Sequence, residues 1–215
     1  STINGTIKPA FVIASGDNTD GGFIPPFFAH GQYEDEYIAY NSTMAKYSFN
    51  SSFWLPVPGN HDGYDTGFSR EFWYRYMRNI TQYAIDFDTG FGVYRVYMTD
   101  TTQKFGPLSP YNLYGETHSE ELEHFLKLIN FGDTAAINQS VVAGHFPLNH
   151  IQSARTEQGK DFRDLVVETG AQYSLVGHLH EQGLYKNYGD YMEIHCPSFK
   201  ENYNYKLTLN DIFKI

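Results

Sequence analysis

The chain has 215 residues, with 25 acidic against 15 basic side chains and a net charge of -10. That length suffices for one α/β domain with a full core, and 19% charged against 41% hydrophobic residues excludes a disordered chain. The acidic balance excludes the broad basic face that a nucleic-acid partner needs, although bound cations can invert a local field and let an acidic protein take phosphate esters.

The first element expected is a strand over residues 11–15, Phe-Val-Ile-Ala-Ser, an apolar run that fits burial on both faces. It breaks at Gly16 and delivers two carboxylates, Asp17 and Asp20, ahead of the Gly21-Gly22 pair. Taken alone, a Gly-Asp pair reads first as a loop cap. Residues 32–46 carry apolar and aromatic positions at helical spacing. Residues 53–58 are a short extended run that Pro56 and Pro58 demote to a brief or edge strand. This run leads into Gly59-Asn60-His61-Asp62.

A helix is expected over 69–78, with Ser69 as its N-cap and Phe72, Trp73 and Tyr76 on one face. Residues 83–87 and 92–99 alternate at period two around a Gly-rich turn, as in a hairpin. Thr117 or Ser119 can cap a helix to about Ile129, with Glu120 and Glu121 in its first turn. Residues 140–143 form a buried-strand run ending in Gly144-His145. A helix over 162–169 is closed by Gly170. Residues 173–176 form another buried strand, ending in Gly177-His178-Leu179-His180, and short antiparallel strands follow from Gly183. There is no internal repeat or linker, so the expectation is a single α/β domain over 1–215 with a mixed sheet.

Four strand-like runs thus end in glycine followed by a potential metal ligand. Glycine lets the backbone turn sharply, so the next side chain can point back across the sheet edge. If the strands are neighbours, Asp17, Asn60, His145, His178 and His180 converge at their carboxyl ends, where α/β sheets bind ligands. Carboxylate, amide oxygen and imidazole suit a borderline divalent cation of the Zn, Fe or Mn class. A carboxylate can bridge two such ions, and two ions close together clamp both oxygens of an in-line phosphoryl displacement. Each histidine alone reads as structural; four repeats of one device are hard to explain by packing.

Gly16-Asp17-Asn18-Thr19-Asp20, Gly59-Asn60-His61-Asp62, Gly144-His145 and Gly177-His178-Leu179-His180, in that order, resemble the motifs of the calcineurin-like metallophosphoesterases. Residues 110–115 and the tail over 193–205 add a local likeness within that family. The resemblance implies an α/β sandwich of two mixed sheets flanked by helices, and hydrolysis of a phosphomonoester or phosphodiester by a hydroxide bridging two divalent metal ions. It implies that Asp17 bridges both metals, that Asn60, His145 and His178 complete the second, and that His180 binds the first. His61 would sit beside the leaving-group oxygen as general acid or charge stabiliser, oriented by Asp20 or else by Asp62, since a neighbouring carboxylate favours the imidazolium.

The family also carries an Asp-x-His on the strand before Gly-Asp, and this sequence has none. The first metal site is therefore expected to be incomplete, with the N-terminal strand-helix unit missing. Either an N-terminal fragment of the same precursor supplies it, or the protein is a catalytically inactive structural or binding glycoprotein that kept the fold. Ser1 begins neither a signal peptide nor a Met-initiated product, and no run is long enough to span a membrane, so membrane attachment is expected only through segments outside this chain. Five Asn-x-Ser/Thr sequons, at Asn4, Asn41, Asn50, Asn79 and Asn138, exceed the roughly two expected by chance and predict a secretory glycoprotein of the ER lumen or extracellular space. The lone Cys196 reads as a buried, inert thiol. His150, five residues past His145, lines the substrate cleft or sits in a loop.

Overall fold

The computed structural model describes residues 9–21, 23–24, 29–30, 32–64, 70–102, 113–132, 134–180 and 185–198. Ser69, Asn4, residues 110–112 and the tail beyond residue 198, on which some of the expectations fall, lie outside the described residues. The elements run β1 (Val12–Ala14), β2 (Phe23–Ile24), β3 (Ala29–His30), α1 (Glu34–Lys46), β4 (Trp54–Pro56), α2 (Glu71–Tyr76), β5 (Tyr83–Asp88) and β6 (Val93–Met98). Then come β7 (Gly115–Thr117), α3 (Ser119–Ile129), β8 (Ile137–Ala143), β9 (Ile151–Ser153), α4 (Phe162–Glu168), β10 (Tyr173–Val176), β11 (Tyr185–Asn187) and β12 (Met192–His195).

A six-stranded mixed sheet, ordered β11-β12-β10-β8-β6-β5, forms the centre. Its inner pairings, β12 with β10, β10 with β8 and β8 with β6, are parallel, and both edge strands are antiparallel. The parallel pair β1–β4 lies apart from it, in register Val12 to Trp54 through Ala14 to Pro56. Period-two alternation splits the sheet's side chains between two cores. Tyr97 and Val142 face α3 and α4, packing with Leu122, Phe125, Phe162 and Leu165. Val96, Met98 and Ala143 face the other way, onto Leu55 and Val57 next to β4 and onto Phe11 and Ile13 of the first strand run. The layers are thus helices, large sheet, small sheet, with α1 against the small sheet through Tyr40, whose hydroxyl accepts from Trp54 Nε1 of β4 and donates to Asn18 Oδ1 at 3.3 Å.

Local departures have physical causes. β1 is half-buried rather than buried on both faces, because among the described residues it pairs with β4 alone. α3 begins where expected, but neither Thr117 nor Ser119 is its cap. His118 holds that position, and its backbone N–H donates to Glu121 Oε2 at 2.9 Å, so a glutamate reaching back satisfies the helix end. At α2, Arg70 holds the N-cap position in left-handed backbone, φ 40°, without a side-chain cap bond. Cys196 is only partly buried; burial nonetheless pushes its thiol up, which keeps it protonated. Among the described residues no helix is long and apolar enough to cross a membrane.

Candidate metal centre

Strand ends from both sheets meet at one place. β1 and β4 run parallel, so Asp17 and Asn60 leave adjacent carboxyl ends. β8 and β10 also run parallel, and Gly144 N–H donates to Leu175 O at 3.0 Å while Gly177 N–H donates to His145 O at 2.9 Å. The two sheets are then tied by His145, whose Nδ1 lies 2.8 Å from Ser15 O across 130 residues of chain.

Two glycines are required by close approach. A Cβ on Gly16, whose φ is 96°, would strike the His145 ring and lie 2.8 Å from Gly59 Cα. A Cβ on Gly59 would strike the Asp17 carboxylate. Any side chain at either position would force the strand ends apart. Asp17, His178 and His180 themselves take left-handed backbone, with φ of 53°, 68° and 54°. Such strain at non-glycine residues persists only where surrounding structure holds it, and it gathers at functional sites.

The side chains that result are close together. Asn60 Oδ1 lies 2.8 Å from His145 Nε2 and 3.0 Å from His178 Nδ1. Asp17 Oδ1 lies 3.4 Å from His145 Nε2. His180 is near enough for its charge to bear on both Asp17 and His145. Burial pushes the Asp17 carboxyl above its ordinary value, against the pull of the His61 ring and backbone N–H and of His178 and His180. Burial also pushes the His145 imidazole down to about 4, and His178 down to about 4 with the neighbouring His145 adding to it. Both rings are therefore neutral at pH 7.

Their tautomers follow from their other nitrogens. His145 Nδ1 faces Ser15 O, and His178 Nε2 faces Leu113 O at 3.0 Å. A carbonyl oxygen can only accept, so both of these nitrogens carry the proton. That leaves a bare lone pair on His145 Nε2 and on His178 Nδ1, each aimed at Asn60 Oδ1. A cation between them would satisfy lone pairs that face an amide oxygen and a carboxylate. Ligands held at about 2.1 Å from a zinc-type ion stand roughly 3–3.4 Å from one another; the Asn60–His178 and Asp17–His145 separations of 3.0 and 3.4 Å fall in that range, and the Asn60–His145 separation of 2.8 Å is slightly shorter. Backbone carbonyls that set the tautomer of a ligating histidine are the usual outer shell of such a site. On this chemistry the donor set fits a divalent cation. Among the described residues, no three or more His, Cys, Asp or Glu side chains are grouped to hold a metal ion by themselves; the cluster closes only through the amide of Asn60.

His61 stands beside this cluster. Its backbone N–H donates to Asp17 Oδ1 at 3.0 Å and its Nε2 lies 4.0 Å from Asp17 Oδ2. Its Nδ1 donates to the main-chain carbonyl of Asp20, whose carboxylate is 4.0 Å away. Asp62 is turned from the ring. It is 1% exposed and accepts from Asn18 N at 3.0 Å, Thr19 N at 3.0 Å, Thr19 Oγ1 at 2.9 Å and Gly59 N at 2.9 Å. Of the two carboxylates that the sequence leaves open, Asp20 thus adjoins His61, and it does so through its backbone, while Asp62 staples the two ligand loops together. His150 ends a short turn with its ring centroid 6.2 Å from that of His178 and 5.7 Å from Tyr114, so it borders the cluster. Tyr64 was missed from sequence: its hydroxyl lies 3.0 Å from Asn60 Nδ2, and only the four-residue spacing around a tight turn could have hinted at it.

A model of the calcineurin-like phosphoesterase family matches residues 2–182. The chain is also 30% identical to transmembrane protein 62 of Mus musculus over 225 aligned positions, which cover 95% of this chain and 32% of that protein. It therefore spans about a third of the length of the relative it matches.

Proposed function

The chain belongs to the calcineurin-like phosphoesterase family, and on that footing we propose that it is a metal-dependent hydrolase of phosphomonoesters or phosphodiesters. The observation that carries this reading is the pair of neutral imidazoles, His145 and His178, whose lone pairs meet the Asn60 oxygen beside Asp17. Asp17, Asn60, His145 and His178 would hold one divalent cation, and Asp17 with His180 would contribute to a second of the same Zn, Fe or Mn class. When bound, such cations neutralise a phosphate ester and make water acidic enough to act as the nucleophile.

The chain's own residues do the rest. Asp17 carries the negative charge that draws the cations to the end of β1. Ser15 O and Leu113 O hold the two imidazoles in the tautomers that keep their lone pairs inward. Asp20, through its carbonyl, holds the Nδ1 proton of His61 and leaves Nε2 facing the Asp17 side. From there His61 can give a proton to, or stabilise charge on, the departing oxygen. The substrate is a phosphate ester rather than a nucleic-acid duplex, in line with the net charge of -10. Its identity is set by loops around the shared core. The surroundings are proposed to be secretory, with any membrane attachment lying in sequence outside this chain.

The test is hydrolysis of aryl phosphate mono- and diesters by the purified chain with Mn²⁺ or Zn²⁺. Activity lost on chelation and in Asn60→Ala and His145→Ala supports the proposal; activity indifferent to chelation sinks it. A second reading, a binding or structural glycoprotein that kept the fold, is favoured by the absence, among the described residues, of three grouped His, Cys, Asp or Glu ligands. It predicts no turnover under any metal.

A further inference from the structure

A carboxamide offers two different ends. Only its oxygen can ligate a cation, while its NH2 group can donate to an imidazole lone pair. Asn60 is 4% exposed and its side chain faces two such lone pairs, on His145 and His178. With nothing else acting, the NH2 end would rotate toward those rings and leave the oxygen pointing away. The structure has the opposite arrangement, and the partner that receives the NH2 end is Tyr64.

Asn60 Nδ2 donates to the Tyr64 hydroxyl at 3.0 Å. Asn60 precedes the short 3₁₀ turn His61–Gly63 and Tyr64 follows it, so the turn folds the tyrosine back over the asparagine. The Tyr64 ring is buried, edge-on to His61 with centroids 4.9 Å apart. It also fills space that Gly21 leaves, since a Cβ there would lie 2.8 Å from Tyr64 Cδ2. The hydroxyl is thus held on a fixed ring between the two loops that carry Asp17 and Asn60.

We infer that Tyr64 is a positioning residue of this site: its hydroxyl takes the Asn60 NH2 group when the Asn60 oxygen faces the cation position, so that both ends of the amide are satisfied in the ligating orientation. Without that hydroxyl, the orientation a cation needs leaves a buried NH2 unpaired, at a cost to the cation-bound form. The inference rests on the metal reading proposed above.

The test is a double-mutant cycle on metal affinity, read by calorimetric titration of the chain with Zn²⁺ and with Mn²⁺ alone, no substrate present. Tyr64→Phe keeps the ring and should weaken binding by about 10–100-fold, the usual effect of removing a group that orients a metal ligand. In an Asn60→Asp background both ends of the side chain are oxygens, so orientation no longer matters and Tyr64→Phe should change affinity by less than about threefold. Metal-free melting temperatures of the variants confirm that the fold is retained. Unchanged affinity in Tyr64→Phe overturns the inference. An equal loss in both backgrounds also overturns it, because the tyrosine would then act only through packing. No binding by the unaltered chain overturns the metal reading itself, and this inference with it.

Discussion

His61 and His145 are both imidazoles beside Asp17, yet their surroundings differ. His145 is 1% exposed and neutral, and its burial makes its protonation costly. Its ordinary value of 6.5 applies in the unfolded chain and about 4 in the folded one. Between those values the unfolded chain binds more protons, so stability rises with pH across the window and is lost as pH falls from 6.5 toward 4. The metal-free chain should lose at most about 1.4 kcal/mol per pH unit through this one group, and His145→Gln should flatten that slope in urea unfolding at pH 7, 6 and 5. His61 is partly exposed, with its Nε2 4.0 Å from Asp17 Oδ2. His61→Ala should therefore leave metal affinity and folding intact and lower turnover by about 10²–10⁴-fold. Unchanged turnover in an active preparation would remove His61 from the proposed chemistry.

At the scale of elements, α2 is joined to the end of β6 by charge rather than by a helix cap. Arg70, just ahead of α2, forms a buried ion pair with Asp100 and donates to Thr102 O at 3.2 Å. Asp100 Oδ1 accepts from Thr102 N at 3.0 Å and Thr102 Oγ1 at 2.6 Å. Burial alone would push the Asp100 carboxyl up, but Arg70 and the threonine bonds outweigh it and hold it below its ordinary range. Removing one partner leaves an unpaired charge in the interior. Arg70→Met should cost about 3–5 kcal/mol in chemical denaturation, and adding Asp100→Leu should recover most of it. Equal instability of the single and double variants would mean that Arg70 matters for its packing, not its charge.

Across the whole molecule, the four described sequon asparagines, Asn41, Asn50, Asn79 and Asn138, are all exposed. They lie on α1, after α1, after α2 and at the start of β8. Asn138 is the extra residue of a bulge between β6 and β8, and its Oδ1 accepts from Val93 N at 2.8 Å. A sugar on Nδ2 leaves that bond in place, so the bulge and the glycan are compatible. Expressed through a secretory pathway, the chain should lose mass at two or more of these sites on treatment with an N-glycosidase. Unmodified asparagines at most of them would argue for a cytoplasmic protein.

Much was legible in the sequence because it is local. Glycine before a ligand-type residue at the end of an apolar run marks a sharp turn whatever the fold, and residues 16–20, 59–62, 144–145 and 177–180 carried that mark. The hairpin expected from residues 83–87 and 92–99 followed from period-two alternation around a Gly-rich turn, and the strand at 173–176 from a short run read as buried. What sequence left open was every choice that depends on contacts between distant residues. Whether Asp20 or Asp62 adjoins His61 turned on the packing of loops more than 40 residues apart. The tautomers of His145 and His178 were set by carbonyls of Ser15 and Leu113, which no local pattern announces. The Arg70–Asp100 pair and the Tyr64 hydroxyl on Asn60 likewise exist only once the chain is closed. Spacing specifies where a side chain leaves the backbone; which atom it meets, and in which protonation state, is decided by the dry surroundings that the tertiary fold assembles around it.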